Sequence, residues 1–204
     1  MESGELQGTT AKPIDRRILR SRQKLCQALL EELKEGHRLE TLSVSTIAAR
    51  SGLTRKTFYA HFHSLDDVVG QIAANSFQRA ISQVEDEALN LPVADSRLGV
   101  SILSHLADDM ETIALLATQC PSALFLEPAG EAIAQLLDRI VCVNKLPPLE
   151  EHVHEYLAQI VGGAFRGAVM AWAKRGFREN PEAASKVLMT LLGPGTDNLL
   201  QQQR

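Results

Sequence analysis

The chain has 204 residues, 45% hydrophobic and 23% charged, with a formal net charge of −4, a balance that suits a globular protein of one larger domain or two modest ones. No apolar run is long enough to span a bilayer, and a start containing Glu2 and Glu5 without an apolar stretch is not a secretory signal, so a cytoplasmic protein with no membrane partner is expected. Three cysteines, Cys26, Cys120 and Cys142, lack paired short spacing; they indicate neither a disulfide framework nor a zinc site and read as core thiols.

The charge is unevenly spread. Residues 1–62 carry 11 Lys+Arg against 7 Asp+Glu, a net +4, while residues 63–204 carry 10 against 18, a net −8. A basic first third and a larger acidic body suit a protein with one face for phosphates.

In chain order, residues 1–14 are polar, contain Pro13 and read as a flexible arm. A helix is expected over 15–35, with Leu25, Ala28, Leu29 and Leu33 inward and Gly36 at its end. Arg16, Arg17, Arg20 and Arg22 crowd its start, where they oppose the helix dipole; a nearby phosphate backbone would explain them, and so would a merely solvated helix end.

The stretch 42–62 is the most informative. Ser43 is an N-cap for a short helix burying Val44, Ile47 and Ala48, and Gly52 follows where the chain must turn left-handed. Leu53 plugs the turn. Thr54 caps a second helix that carries Arg55, Lys56, Thr57, Tyr59 and His61 beside Phe58 and Phe62. Two short helices, a glycine turn, and cations and hydroxyls at the start of the second form the helix-turn-helix pattern, whose second helix enters the DNA major groove; an ordinary helical hairpin can mimic it.

The run Ile47-Ala48, Ser51-Gly52-Leu53-Thr54, Thr57-Phe58-Tyr59 and His61-Phe62 resembles the DNA-binding domain of TetR-family transcriptional regulators, from Leu25 to Ile72. One position departs: Leu65 stands where family members commonly carry lysine, which leaves one phosphate contact open. The resemblance implies a helix-turn-helix domain at 15–63 and a helical ligand-binding and dimerisation domain at 64–204. It also implies DNA-facing residues among Ser43, Thr54, Arg55, Lys56, Thr57, Tyr59 and His61.

Further along, Ser64 caps a helix expected to reach Leu89, roughly 40 Å at 1.5 Å per residue. Helices follow at about 96–118, 129–143 and 149–175, and a last one opens at Pro181 and stops at Gly193-Pro194-Gly195. No stretch alternates as a strand would, so the expected fold is all-α with about nine helices. Gly163, Gly167 and Ala171 fall at i, i+4 and i+8, a nearly side-chain-free row that another helix can approach. With Leu188 of the last helix it marks the dimer seam the resemblance implies, close packing within one subunit being the alternative.

No phosphate loop, dinucleotide fingerprint, nucleophile elbow or metal-binding histidine spacing occurs, so neither an enzyme nor a cofactor is expected. By resemblance the body encloses an effector pocket, with His105, Met110, Phe125, Cys142, Phe165 and Trp172 as candidates, each of which also reads as plain core. The expected protein is a homodimeric regulator on a palindromic double-stranded DNA operator, a repressor released by a small apolar or amphipathic ligand. The alternative is a helical scaffold or partner-binding protein that never meets DNA.

Overall fold

A computed structural model describes residues 16–94 and 97–202. The expected arm at 1–14, and the helix starts proposed at Asp15 and Ser96, lie outside the described residues. Among those described are nine α-helices and no strand: α1 (Arg16–Lys34), α2 (Val44–Arg50), α3 (Arg55–Tyr59), α4 (Leu65–Ser82), α5 (Leu98–Ala107), α6 (Met110–Gln119), α7 (Leu126–Val143), α8 (Glu151–Lys174) and α9 (Pro181–Gln201). Short 3₁₀ turns interrupt the connections at Leu39–Thr41, Asp86–Leu89 and Ser122–Phe125.

Local capping explains where the early helices begin. The Ser43 Oγ accepts the Thr46 N–H at 3.1 Å, Thr54 Oγ1 accepts the Thr57 N–H at 3.1 Å, and Ser64 Oγ accepts the Asp67 N–H at 3.1 Å. Between α2 and α3, Gly52 has φ +69° and open space where a Cβ would stand, so conformation rather than crowding demands glycine. α3 is shorter than the expected run to Phe62: it stops at Tyr59, and the chain turns so that the N–H groups of His61 and Phe62 both reach the Phe58 carbonyl at 2.9 Å. Phe58, Ile47, Leu25 and Leu29 are fully buried, and α1, α2, α3 and the start of α4 close around them.

Besides the end of α3 and the start of α7, which opens at Leu126 instead of 129, three expected boundaries move. α4 ends at Ser82, about 27 Å after its start, because Arg139 of α7 donates to the carbonyls of Ile81 and Val84 at 2.8 Å each, satisfying helix-end acceptors and turning the chain aside. The expected single helix at 96–118 is two, broken at Asp108-Asp109; the Asp109 carboxylate takes the Ser76 hydroxyl and the Arg79 guanidinium, tying the corner between α5 and α6 to α4. α9 does not stop at Gly193-Pro194-Gly195 but continues to Gln201. Pro194 forfeits one helical hydrogen bond, yet Leu200 beyond it is fully buried and Asp197 accepts the Val93 N–H at 2.6 Å and the Ala94 N–H at 2.9 Å, so tertiary anchors carry the helix past it.

In the body α7 packs against α8, α5 against α9, and α4 lies against α5 and α7. α7 and α8 approach closely at Gly162, where a Cβ would meet the Gly130 Cα at 2.8 Å. One continuous apolar core runs from Leu25 in α1 to Leu200 in α9. No helix among the described residues is long and apolar enough to cross a membrane.

Candidate nucleic-acid interface and interior cavity

The outer side of α3 is where the helix-turn-helix pattern becomes a surface. Phe58 points inward and is fully buried; Arg55, Lys56 and Tyr59 are exposed, Thr57 and His61 are half-buried, and Ser43 and Thr54 lie exposed at the N-caps. Six of these seven residues therefore share the neighbourhood of α3, and Ser43 stands at the start of α2. The Thr54 and Thr57 hydroxyls lie 2.9 Å apart, so their hydrogen bonding is already committed in part to the cap. Tyr59 packs edge-on against Phe58 with ring centroids 5.5 Å apart, which fixes the ring while its far side faces solvent.

α3 has only five residues, too few to hold its angle by helix propensity, and its neighbours supply the rigidity. The Arg22 guanidinium of α1 lies 4.5 Å from the Phe62 ring centroid and donates to the His61 carbonyl at 3.1 Å. Arg22 is thus a clamp on the C-terminal end of α3, not the solvated or phosphate-seeking charge its place in the arginine cluster suggests; Arg16 and Arg20 remain exposed on the same helix. Arg50 at the end of α2 is a second clamp. It donates to Glu31 at 3.1 Å and to the buried Glu32 at 2.7 Å on α1, and to Glu35 just past its end at 2.9 Å, and these hydrogen bonds hold its own pKa far up. Gln27 and Arg50 hold Glu31 below the usual carboxylate range, and Arg50 does the same for Glu35.

At the entry to α4, burial pushes the Asp67 carboxyl up, but hydrogen bonds from the His63 N–H at 2.7 Å and the Ser64 hydroxyl at 2.9 Å outweigh it and hold the group below its ordinary range. Leu65, at the position of the missing lysine, is half-buried against the core.

The six pocket candidates do not converge. Phe165 alone lines the interior cavity, edge-on to Phe77 at 5.8 Å. His105 lines a surface depression with Arg97 and Ser101, Met110 is 48% exposed at the start of α6, and Cys142 is exposed. Phe125 is packed into the core, and Trp172 closes the end of α8, its indole donating to the Glu179 carbonyl at 2.9 Å. Of the other thiols, burial pushes Cys26 up to about 11 and Cys120 up to about 12, so both stay protonated core residues.

The cavity lies among α5, α7, α8 and α9, bounded by Val93, Ile102, Ile133, Ile140, Phe165 and Met189 among others, and the space open to centres of water-sized molecules is about 70 Å³. Sequence reasoning passed over most of its lining, because an apolar residue beside a void has the same spacing as one that fills it. Leu188, expected at a dimer seam, is buried and faces this cavity.

The other residues expected at such a seam lie elsewhere. Gly167 has nothing within 4 Å of where a Cβ would stand, Gly163 only the Leu126 Cδ1 at 3.9 Å, and Ala171 is exposed, so no helix of the same subunit fills the row. Tyr156 and Ile160, on the same side of α8 as this row by helical spacing, and Val187 and Leu191 of α9 are 62–74% exposed. These four are the most exposed large apolar side chains among the described residues.

No family model matches the chain. A Bacillus subtilis (strain 168) protein, described as the uncharacterized HTH-type transcriptional regulator YxbF, is 31% identical over 85 residues, 42% of this chain and 20% of that protein. The match thus spans about a fifth of the relative's length. Among solved structures, the dihydroxyacetone kinase operon activator DhaS superposes with a TM-score of 0.52 at 16% identity, covering 88% of this chain and 97% of that one. A TetR transcriptional regulator from Streptococcus agalactiae 2603V superposes with a TM-score of 0.54 at 19% identity, covering 87% and 96%.

Proposed function

We propose that this chain, whose all-α fold is that of TetR-type regulators, is a DNA-binding transcriptional regulator and not an enzyme. The observation that carries the reading is the outer side of α3: Arg55, Lys56 and Tyr59 project from a short helix whose inner face is fixed by Phe58 and whose ends are held by the Thr54 cap and the Arg22 clamp. A rigid helix with exposed cations suits insertion into a major groove. Arg55 and Lys56 reach base edges in this scheme, while Thr54, Thr57, Tyr59 and the Ser43 cap contact phosphates and His61 flanks them.

The uncovered α8–α9 face supports a two-fold dimer through Gly163, Gly167 and Ala171, with Tyr156, Ile160, Val187 and Leu191 around them. A two-fold dimer sets two recognition helices on half-sites about 34 Å apart and therefore suits a palindromic operator. The interior cavity supports control by a small molecule, and the direction proposed is release of a repressor. Since one solved neighbour is an operon activator, a reporter placed behind the operator reads the direction.

The deciding experiment is a gel shift over a salt series. A DNA-binding protein loses affinity linearly in log–log coordinates as salt displaces its phosphate contacts. Arg55→Ala should cost about 1–3 kcal/mol and relax sequence preference, while Tyr59→Phe weakens all sequences alike. Absence of salt-dependent DNA binding by the folded dimer would leave the scaffold reading in its place.

A further inference from the structure

We infer that the interior cavity takes a small, uncharged, hydrocarbon-like molecule, and that no ionised or strongly hydrogen-bonding effector occupies it. This rests on the reading of the body as an effector domain and names the chemistry of its ligand.

The cavity is built to stay open. At one end α5 is drawn against α9 at Gly99, where a Cβ would fall 2.4 Å from the Ser185 Oγ and 2.6 Å from the Met189 Cγ. At the other, Gly193 of α9 sits against Ala94, whose Cα would be 2.7 Å from an added Cβ, and the Asp197 carboxylate binds the Val93 and Ala94 N–H groups beside it. These contacts fix where α9 sits against α5 and against the Val93-Ala94 turn, two of the cavity's walls. Protein interiors ordinarily leave few voids larger than a water molecule, so this one is a departure, and Gly99 and Gly193 stand in its lining.

Its chemistry follows from its lining. Valine, leucine, isoleucine, phenylalanine and methionine side chains make the walls; among the described residues no ionisable side chain reaches it, and Thr196 brings the one side-chain hydroxyl. Water needs two to four polar partners to settle in a cavity and does not find them here, so the space favours an apolar guest. A carboxylate or ammonium moved into these walls would lose its hydration with no partner to replace it. The surface depression around His105 and Arg97 has polar groups but lies outside these walls.

The test uses the full chain with toluene as the apolar probe and benzoate as a charged probe on the same ring. Toluene should bind saturably by calorimetry and raise the melting temperature, benzoate should do neither, and NMR should show toluene protons close to the methyl groups of Ile102, Ile133 and Ile140. Val161→Phe from α8 and Leu192→Phe from α9, each filling the space from its own wall, should weaken toluene binding at least tenfold; the proton contacts in the unaltered chain locate the site even if either variant fails to fold. Toluene that does not bind, binds without touching those methyl groups, or is matched by benzoate overturns the inference. The salt-dependent gel shift without toluene reports separately on the DNA-binding reading, so either can fail while the other stands.

Discussion

α3 turns Arg55, Lys56 and Tyr59 outward from a core that Phe58 closes completely, whereas α8 and α9 turn Tyr156, Ile160, Val187 and Leu191 outward from a core with a cavity in it. The helix starts of the head are set by neighbours in sequence, the caps at Ser43, Thr54 and Ser64 each closing within three residues, while the clamps of Arg22 and Arg50 reach back to or from α1. The body is fixed by contacts between residues far apart, such as Asp197 on the Val93-Ala94 turn and Arg139 on the end of α4. The polar groups on α3 are set at their angles largely by local rules, while the walls of the cavity and the α8–α9 face are set by long-range packing.

The largest expected effect is in the head. Phe58 is fully buried and touches Tyr59 and Phe62, so Phe58→Ala should cost about 3–5 kcal/mol and remove DNA binding, read by urea denaturation and gel shift. If the head depends on this one ring as its packing indicates, the body should keep its cavity and its oligomeric state in the same variant. Loss of all three together would mean that the two regions fold as one and that the contrast between them is superficial.

In the body the contrast is sharpened by Gly167→Leu. Nothing in the same subunit lies within 4 Å of the new Cβ, so the melting temperature of the isolated subunit should hardly move. At a two-fold seam the bulk is met twice, with overpacking of about 1–3 kcal/mol per site. Sedimentation should then show monomer, and operator affinity should fall with the DNA-facing residues untouched. A dimer that survives Gly167→Leu with unchanged operator affinity places the seam on another face.

A smaller change returns to the head. Gly52→Ala forces an L side chain into a left-handed backbone at φ +69°, a cost of roughly 1–2 kcal/mol with no steric clash to add to it. Because the strain lies between α2 and α3, specific DNA binding should drop more than global stability does. Equal losses would say that the turn sets stability alone and leaves the angle of α3 unaffected.

The same division explains what could be read from the sequence. The all-α class, the helix-turn-helix segment, Gly52 and the three N-caps were legible because each is a local pattern with a local consequence. The end of α4 was not, since the group that captures its carbonyls, Arg139, stands in α7. Nor was the passage of α9 through Pro194, which depends on Asp197 and Leu200 finding partners across the fold. For the pocket, Phe165 was the one candidate lining the cavity, and Trp172 and Phe125 were drawn into ordinary packing. Ile102 and Ile140 gave no signal, because periodicity reports which face of a helix is buried and not whether anything fills the space before it.

The smallest effect concerns acid. Ser64→Ala removes a cap worth about 1 kcal/mol, and the reciprocal half of that cap is the Asp67 carboxylate, which accepts from the His63 N–H and the Ser64 hydroxyl. Its folded-state pKa lies below the unfolded value, so its contribution is fully present above the ordinary carboxylate range and is lost as pH falls through the lowered folded value. Asp67→Asn keeps the shape and removes the titration. Urea midpoints measured from neutral pH downward should therefore show the unaltered chain more stable than Asp67→Asn at neutral pH, with the gap closing as the medium becomes acid. A gap that stays constant with pH would mean the carboxylate's charge contributes nothing here and the cap at α4 rests on the Ser64 hydroxyl alone.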